Sequence, residues 1–385
     1  MIYQKPIHLI AAKRSPIGRF GGGLSTLSAV EMARQVTAST LDAAMIPATQ
    51  LTVAGHVLQA GCGMNSARQL SLAAGVAREV PAFTVNMVCG SGLKAVIEVA
   101  DAIALGGLSA GLAAGMESMS RAPFYSNDTR WGARYGHTSL TDAVQADGLT
   151  DPTLDLPMGE TAERIADSLG ISREDQDAFA AESQRRAAGA DFSPEIVALS
   201  TKNGPVERDE HPRAGTTVEK LATLKPAFRK TGTVTAGNSS GLNDGAAVVF
   251  LADEPTTRAH GWTPLATLVG HAAVGCDPAL MGLGPVGAIS GLLAETGWTA
   301  SDVDSFELNE AFAAQSLGCI RQLGLAPERV NPRGGAIALG HPIGCSGTRV
   351  LVTLVHHLIH SGGRRGVASL CIGGGMGIAV AVERP

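Results

Sequence analysis

Val85-Asn86-Met87-Val88-Cys89-Gly90-Ser91-Gly92 joins two apolar stretches of unlike period. Pro81 to Val88 is short, apolar and rich in β-branched residues, which predicts a strand. Leu93 to Leu105 is apolar enough for a buried helix. Between them stands a cysteine on a tight turn, with Gly90 and Gly92 where the backbone must bend and pack closely. A thiol at a helix N-terminus meets unpaired N–H groups and the positive end of the helix dipole. Both favour the thiolate, the nucleophilic form. The plainer reading is a small buried hydrophobe, since free cysteines are often buried. The distant C-terminal part of the chain bears on that choice.

The 385-residue chain is long enough to bury a large core in two or three domains. Hydrophobic residues make up 45% and aromatics only 4%, with 48 glycines, a balance that suits closely packed α/β layers. The net charge of −5 gives no support for nucleic-acid binding. Six cysteines are scattered without a CxxC pair, which predicts reduced thiols in a cytoplasmic protein and no disulfide framework. Neither terminus reads as a signal, transit or address pattern, so none is expected, and no apolar run is expected to span a membrane.

Taken in order, Ile7–Ala12 predicts a strand, Ser28 to Ala44 a helix and Leu51 to Gln59 a strand. Asn65–Val76 predicts a helix, followed by the opening stretch and a strand near Leu108–Ala114. Such alternation predicts a mainly parallel sheet covered by helices. From 121 to 242 the chain is more polar and irregular. Ser172 caps a helix over Arg173–Ala188, and Met158 opens another. Lys202 to Lys230 carries seven Lys/Arg against four Asp/Glu, which reads as a solvated face or as a landing surface for a phosphorylated ligand. Alternation resumes from Gly245, with strands at Ala246–Leu251, Leu265–Ala273 and Ser305–Leu308, and later near Val367–Ile372 and Gly377–Val382. Helices are expected at Pro285–Thr296, Glu310–Leu323 and Ser346–Ile359. The division expected is 1–120 with 243–263, an inserted domain over 121–242, and 264–385.

A weak repeat ties the two ends. Val85-Asn86 recurs as Val330-Asn331, and Cys89-Gly90-Ser91-Gly92 is echoed by Gly344-Cys345-Ser346-Gly347. An apolar helix, a glycine pair and a strand follow each copy. A duplicated unit predicts two similar domains facing each other, with their equivalent helix N-termini near one shared site. Two further stretches look chemical. Asn331 to Gly344 holds a single His341 in a glycine-rich loop that feeds the second helix. Cys371-Ile372-Gly373-Gly374-Gly375-Met376-Gly377 places a cysteine at a strand end before bare backbone, and it lacks the GxGxxG or P-loop pattern of a nucleotide loop. His356, His357 and His360 share a helix. Without a nearby carboxylate or cysteine they read as surface residues and not as a metal site. Cys62, Cys276, Cys319 and Cys345 read as packing residues.

With these motifs in hand, the chain resembles the thiolase family over nearly its whole length. The runs that carry the resemblance are Asn86 to Ala95, Gly237 to Ala246, Asn309-Glu310-Ala311-Phe312-Ala313, Gly340-His341-Pro342 and Cys371 to Gly377. They resemble most the biosynthetic branch, the bacterial acetyl-CoA acetyltransferases. The resemblance implies a duplicated five-layered α/β/α/β/α core with an inserted CoA-binding loop domain. It implies reversible Claisen condensation of two acetyl-CoA to acetoacetyl-CoA plus CoA, ping-pong, through an acyl-Cys89 intermediate. His341 would take the Cys89 proton and Cys371 would be the acid/base. Asn309, through a water and together with His341, would hold the enolate. The N–H groups of Cys89 and Gly373 would hold the tetrahedral intermediate.

By the same resemblance Leu149, Met158, Arg213, Phe228, Ala236, Ser240 and Leu242 would line the pantetheine and adenine path. Lys220 would stand where relatives often carry a small polar residue against adenine. Met281, Ala311 and Phe312 would border the acyl pocket. The substrates would be CoA thioesters, with no covalent cofactor and no metal, in a homotetramer or homodimer. One departure stands out: short-chain thiolases commonly have His-Met-Gly before Thr-Ala-Glu, and this chain has Pro157-Met158-Gly159, more like degradative 3-ketoacyl-CoA thiolases. Decarboxylating condensing enzymes of the ketoacyl synthase type share the duplicated fold, but generally carry a second His, or His and Asn, and no cysteine like Cys371. A non-catalytic thioester binder would be expected to lack Cys89, His341 or Cys371.

Overall fold

The computed structural model describes residues Met1–Pro385. Nine strands form one twisted sheet: β1 (Ile2–Arg14), β2 (Thr52–Gly55), β3 (Ala82–Val85), β4 (Ala110–Ser118), β5 (Asn243–Asp253), β6 (Ala266–Gly275), β7 (Ser305–Leu308), β8 (Arg365–Ile372) and β9 (Met376–Glu383). Their order is β7-β8-β9-β6-β1-β5-β4-β2-β3, and the short strand Gly18–Arg19 adds to β5. The helices that matter here are α1 (Ala29–Thr40), α2 (Ser66–Ala73), α3 (Ser91–Ala104), α4 (Met158–Leu169), α5 (Arg173–Gly189), α6 (Gly284–Thr296), α7 (Ala313–Leu323) and α8 (Ile343–Ser361).

Side-chain alternation sorts these elements into five layers. Along β5, Ala247, Val249 and Leu251 point into a core shared with α3 and α8. Their neighbours Ala246, Val248, Phe250 and Ala252 point outward onto α1 and α2. Along β9, Ile378, Val380 and Val382 join the same central core, while Ala379 and Ala381 face α6 and α7. The helices α3 and α8 therefore lie between two half-sheets, which are continuous through the β1–β6 pairing.

The expectation of a mainly parallel sheet is corrected. Only β2–β3, β2–β4 and β7–β8 are parallel; β4–β5, β5–β1, β1–β6, β6–β9 and β8–β9 are antiparallel. Parallel neighbours need a long crossover, whereas β8 and β9 are joined by Gly373-Gly374-Gly375, a connection that only an antiparallel pair accepts. The duplication still shows. Each half runs parallel, parallel, antiparallel, antiparallel when the single Phe306–Val330 bridge is counted as the counterpart of β3.

Two other expectations change. The run Leu51–Gln59 pairs only as far as Gly55. Beyond it the N–H groups of Val57 and Leu58 donate to the buried Glu117 carboxylate at 3.1 and 3.2 Å, so they leave the ladder. Pro278–Thr296 is, at 19 residues, long and apolar enough to cross a membrane. Here it is a 3-10 turn running into α6, which buries Ala288, Ile289 and Leu292 on the outer face of the C-terminal half-sheet.

The chain between β4 and β5 packs on the core through a charged hub. Buried Arg14 reaches Glu195 at 2.6 Å and Asp209 at 2.6 Å, and Arg333 reaches the other Glu195 oxygen at 3.0 Å. Much of the charge in 202–230 is spent this way: Arg229 pairs with Glu160 and Asp167, and Glu210 accepts N–H groups of Arg19 and Gly23. Where the two repeats meet, side chains have no room. A Cβ on Gly92 would lie 2.7 Å from the Thr348 nitrogen, and one on Gly347 would strike the Leu93 nitrogen.

Candidate active site

The turn after β3 aims Cys89. Val88 stands at φ +46°, a left-handed conformation that is strained for a β-branched residue. Ser91 holds it there: its hydroxyl donates to the Val88 carbonyl at 2.7 Å and accepts from the Met87 N–H at 2.8 Å. Cys89 comes to rest just before α3, buried among Val57, Leu58, Met119, Val144 and Ile343. Burial pushes its thiol up to about 11, against two backbone N–H groups, from Gly373 and Cys89 itself, that favour the thiolate. The backbone does favour the thiolate, and desolvation outweighs it.

Gly373 belongs to the β8–β9 turn, so its N–H brings the second half of the chain to Cys89. Gly374 and Gly375 in that turn take φ of +85° and +84°. Cys371, at the end of β8, is fully buried, and both burial and the neighbouring Cys89 raise it well above an ordinary thiol.

His341 lies across the site on the loop before α8. Its backbone N–H donates to Asn243 Oδ1 at 2.9 Å. Its Nδ1 is 2.6 Å from Ser346 Oγ, and the Ser346 hydroxyl is 3.0 Å from the Pro342 carbonyl, which only accepts. The hydroxyl proton thus goes to Pro342, and Nδ1 carries the imidazole proton. That tautomer leaves Nε2 as a base. Burial, helped by the Arg349 charge, pushes His341 down to about 3, so the ring is neutral at ordinary pH. Asn309 follows β7 and places Nδ2 3.5 and 3.4 Å from the two ring nitrogens. No hydrogen bond links Cys89 to His341. At rest the site therefore holds a thiol and a neutral imidazole.

A cleft of about 340 Å³ leads in. It is lined by Leu149, Met158, Phe228, Ser240, Leu242, Phe312 and His341, with Pro157 at its wall. Phe228 and Phe312 meet edge to face at 6.2 Å. Met281 and Ala311 pack with Met158, Phe312 and Cys371 in one apolar cluster, of which Met158 and Phe312 also line the cleft. Arg213, Lys220 and Ala236 are not in this cleft. They line a second hollow of about 220 Å³, where Lys220 Nζ is held by the Gly215 carbonyl at 2.7 Å. The expected ligand-binding residues thus fall into an apolar group near the cysteines and a more polar group farther out.

Sequence reasoning missed three positioning groups. Ser346 sat inside the repeated Gly-Cys-Ser-Gly echo, whose hydroxyl was the available signal. Asn243 lies in the run Gly237 to Ala246, whose pattern assigns it no role. Glu117, on β4, accepts from the Gly344 N–H at 2.9 Å as well as from Val57 and Leu58, and clamps the start of α8 to the other half. Of these, Ser346→Ala is expected to lower kcat about 10–100-fold with KM within about threefold, because the base loses its tautomer while the cleft is unchanged. Steady-state kinetics beside a thermal melt tests this. A KM rise at constant kcat would sink the tautomer argument.

Two family models match in tandem: "Thiolase, N-terminal domain" over residues 7–255 and "Thiolase, C-terminal domain" over residues 262–384. An acetyl-CoA acetyltransferase of Chromobacterium violaceum is 47% identical, covering 98% of this chain and 100% of its own length. A cytosolic acetyl-CoA acetyltransferase of Mus musculus is 47% identical, covering 98% of both chains. Among solved structures, human mitochondrial 3-ketoacyl-CoA thiolase in complex with CoA superposes with a TM-score of 0.97 at 41% identity, covering 100% of this chain and 99% of that one. The Bacillus anthracis acetyl-CoA acetyltransferase gives 0.95 at 41% identity, covering 100% of both.

Proposed function

Since the chain belongs to the thiolase family, we propose that it catalyses the reversible condensation of two acetyl-CoA to acetoacetyl-CoA plus CoA. The observation that supports this reading is the burial of Cys89 and Cys371 against residues that wall the same cleft as His341, with Asn309 beside that ring. Cys89 Sγ attacks the thioester carbonyl and its proton passes to His341 Nε2. The oxyanion is held by the N–H groups of Cys89 and Gly373. CoA leaves as a thiolate and takes the Cys371 proton, which makes Cys371 the base for the next step. That thiolate removes a methyl proton from the second acetyl-CoA. The enolate, held by His341 and a water on Asn309, attacks acetyl-Cys89. Cys89 is expelled and recovers its proton from His341. Every proton is returned over the cycle.

Residues 121–242 are the lobe that grips CoA in this reading, with the apolar cleft for pantetheine and the Arg213 hollow for the nucleotide end. The substrates are CoA thioesters and no bound cofactor takes part. We further propose a cytoplasmic homodimer or homotetramer. The sheet ends at β3, where Phe83 is exposed, and Phe124, Trp131 and Tyr135, close to one another in sequence, are exposed as well.

Chain length is the open choice. A degradative enzyme for longer 3-ketoacyl-CoA is the second reading, favoured by Pro157 at the cleft wall. Thiolysis kcat/KM for acetoacetyl-CoA and 3-ketohexadecanoyl-CoA, measured side by side, decides between them. The short substrate is expected to win by about tenfold or more. A preference for the long one would move the protein to the degradative group, and cleavage of neither would end the thiolase mechanism for this chain.

A further inference from the structure

Twelve buried side-chain polar atoms have no hydrogen-bond partner among the protein's own groups, and seven of them belong to β7, the residue just after it, and the facing helix α8. They are Ser305 Oγ, both Glu307 carboxylate oxygens, Asn309 Oδ1 and all three Arg349 nitrogens. The grouping follows from the fold. On β7, Phe306 and Leu308 face the outer core. Ser305 and Glu307 therefore face inward, toward α8, and Asn309 continues their row. Arg349 projects from α8 to meet them. All four side chains are at most 1% exposed.

Glu307 and Arg349 approach to 3.9 Å, an ion pair too long for a hydrogen bond. Left dry, such a pair does not offset its own desolvation. The directions agree: burial pushes Glu307 up to about 8 and pushes Arg349 down, in spite of their mutual attraction. Polar groups this deep are satisfied by ordered water when protein partners are missing. Water bridging Glu307 and Arg349 would also reach the end of the row at Asn309 Oδ1. That contact has a consequence for the reaction. An amide can present either its oxygen or its nitrogen to a neighbour, and a donor on one side decides which. With Oδ1 satisfied from the Arg349 side, Nδ2 is turned to His341, the orientation the structure has.

We propose that Glu307 and Arg349 are positioning residues for the carbon–carbon bond step, acting through interposed water that fixes the Asn309 amide. The proposal rests on the thiolase reading, in which Asn309 serves the enolate and not the acyl transfer to Cys89. It therefore separates two activities. Exchange of acetyl groups between acetyl-CoA and labelled CoA needs only the acyl-Cys89 half-reaction, whereas thiolysis of acetoacetyl-CoA also needs the enolate.

For Glu307→Gln, thiolysis kcat is expected to fall about 10–100-fold with KM little changed, while exchange stays within about threefold. Asn309→Ala should lower thiolysis at least as far, and thiolysis in the double variant should be no worse than in Asn309→Ala alone. Arg349→Lys, which keeps the charge, should retain more thiolysis than Arg349→Met. Equal loss of both activities, or additive losses in the double variant, would overturn the proposal and leave a structural role. Absence of exchange in the unaltered enzyme would instead remove the thiolase reading beneath it. Where the Glu307 or Arg349 variants do not fold, a high-resolution crystal structure of the unaltered enzyme decides. Ordered water bonded to Glu307, Arg349 and Asn309 Oδ1 is expected, and a dry contact, or an Asn309 amide bonded the other way round, refutes it.

Discussion

Cys89→Ala is expected to lower kcat by on the order of 10⁵ or more, in exchange, condensation and thiolysis alike. No other group in the cleft takes its place. Cys371 is a second thiol, but the Gly373 N–H reaches Cys89, and the oxyanion formed by attack from any other position would miss it. The fold should tolerate the change, since alanine fits the same small pocket among Met119, Val144 and Ile343. Activity should therefore vanish without a large shift in Tm. The pH dependence of the unaltered thiol follows from its surroundings. Burial holds Cys89 at about 11, so below that pH the thiolate is the minor form and grows about tenfold per pH unit. Alkylation of the free enzyme by iodoacetamide should rise accordingly from pH 7 upward without levelling before about pH 10. A plateau near pH 7 would mean a resting thiolate, and the burial argument would be wrong.

Cys371→Ala is expected to divide the reaction. Condensation and thiolysis should fall by about 10³–10⁴, because a carbon acid does not lose its proton without a placed base. Acetyl exchange should fall only about tenfold, since CoA leaves as a thiolate even without protonation. Incubated with acetyl-CoA alone, the variant should accumulate acetyl-Cys89, visible by mass spectrometry of the intact protein. Loss of exchange to the same degree as thiolysis would show that Cys371 is needed to build the Cys89 site and not as a base. Its position fits this division: it is buried with Met281, Ala311 and Phe312, and Phe312 also lines the cleft.

Much of this was legible in the chain itself. Cysteine and histidine on glycine-flanked turns stood out because glycine spacing and apolar periods are local properties. The repeat of Val85-Asn86 and Val330-Asn331 foretold the pairing of halves, and the structure answers with β3 and the Phe306–Val330 bridge. Strand direction was not legible, because alternation of strands and helices does not say whether the chain returns up or down after a long insertion. The state of Cys89 was not legible either. A helix terminus can be read from sequence, but the desolvation that overrides it comes from Val57, Met119, Val144 and Ile343, which are remote from one another in the chain. Glu117, Glu307 and Arg349 look like ordinary charged residues until the fold buries them. Ser346 was in view, yet its role depends on which carbonyl its proton meets.

The contact between Gly92 and Gly347 binds the two copies of the ancestral unit to a common fate. Each glycine begins the helix next to a different reactive group, Cys89 on one side and His341 on the other, and each leaves no space for a side chain because of the other copy. At this one point the copies are not separate: drift in either would displace nucleophile and base together. Nucleophile and base are thus held in register only by the two halves together.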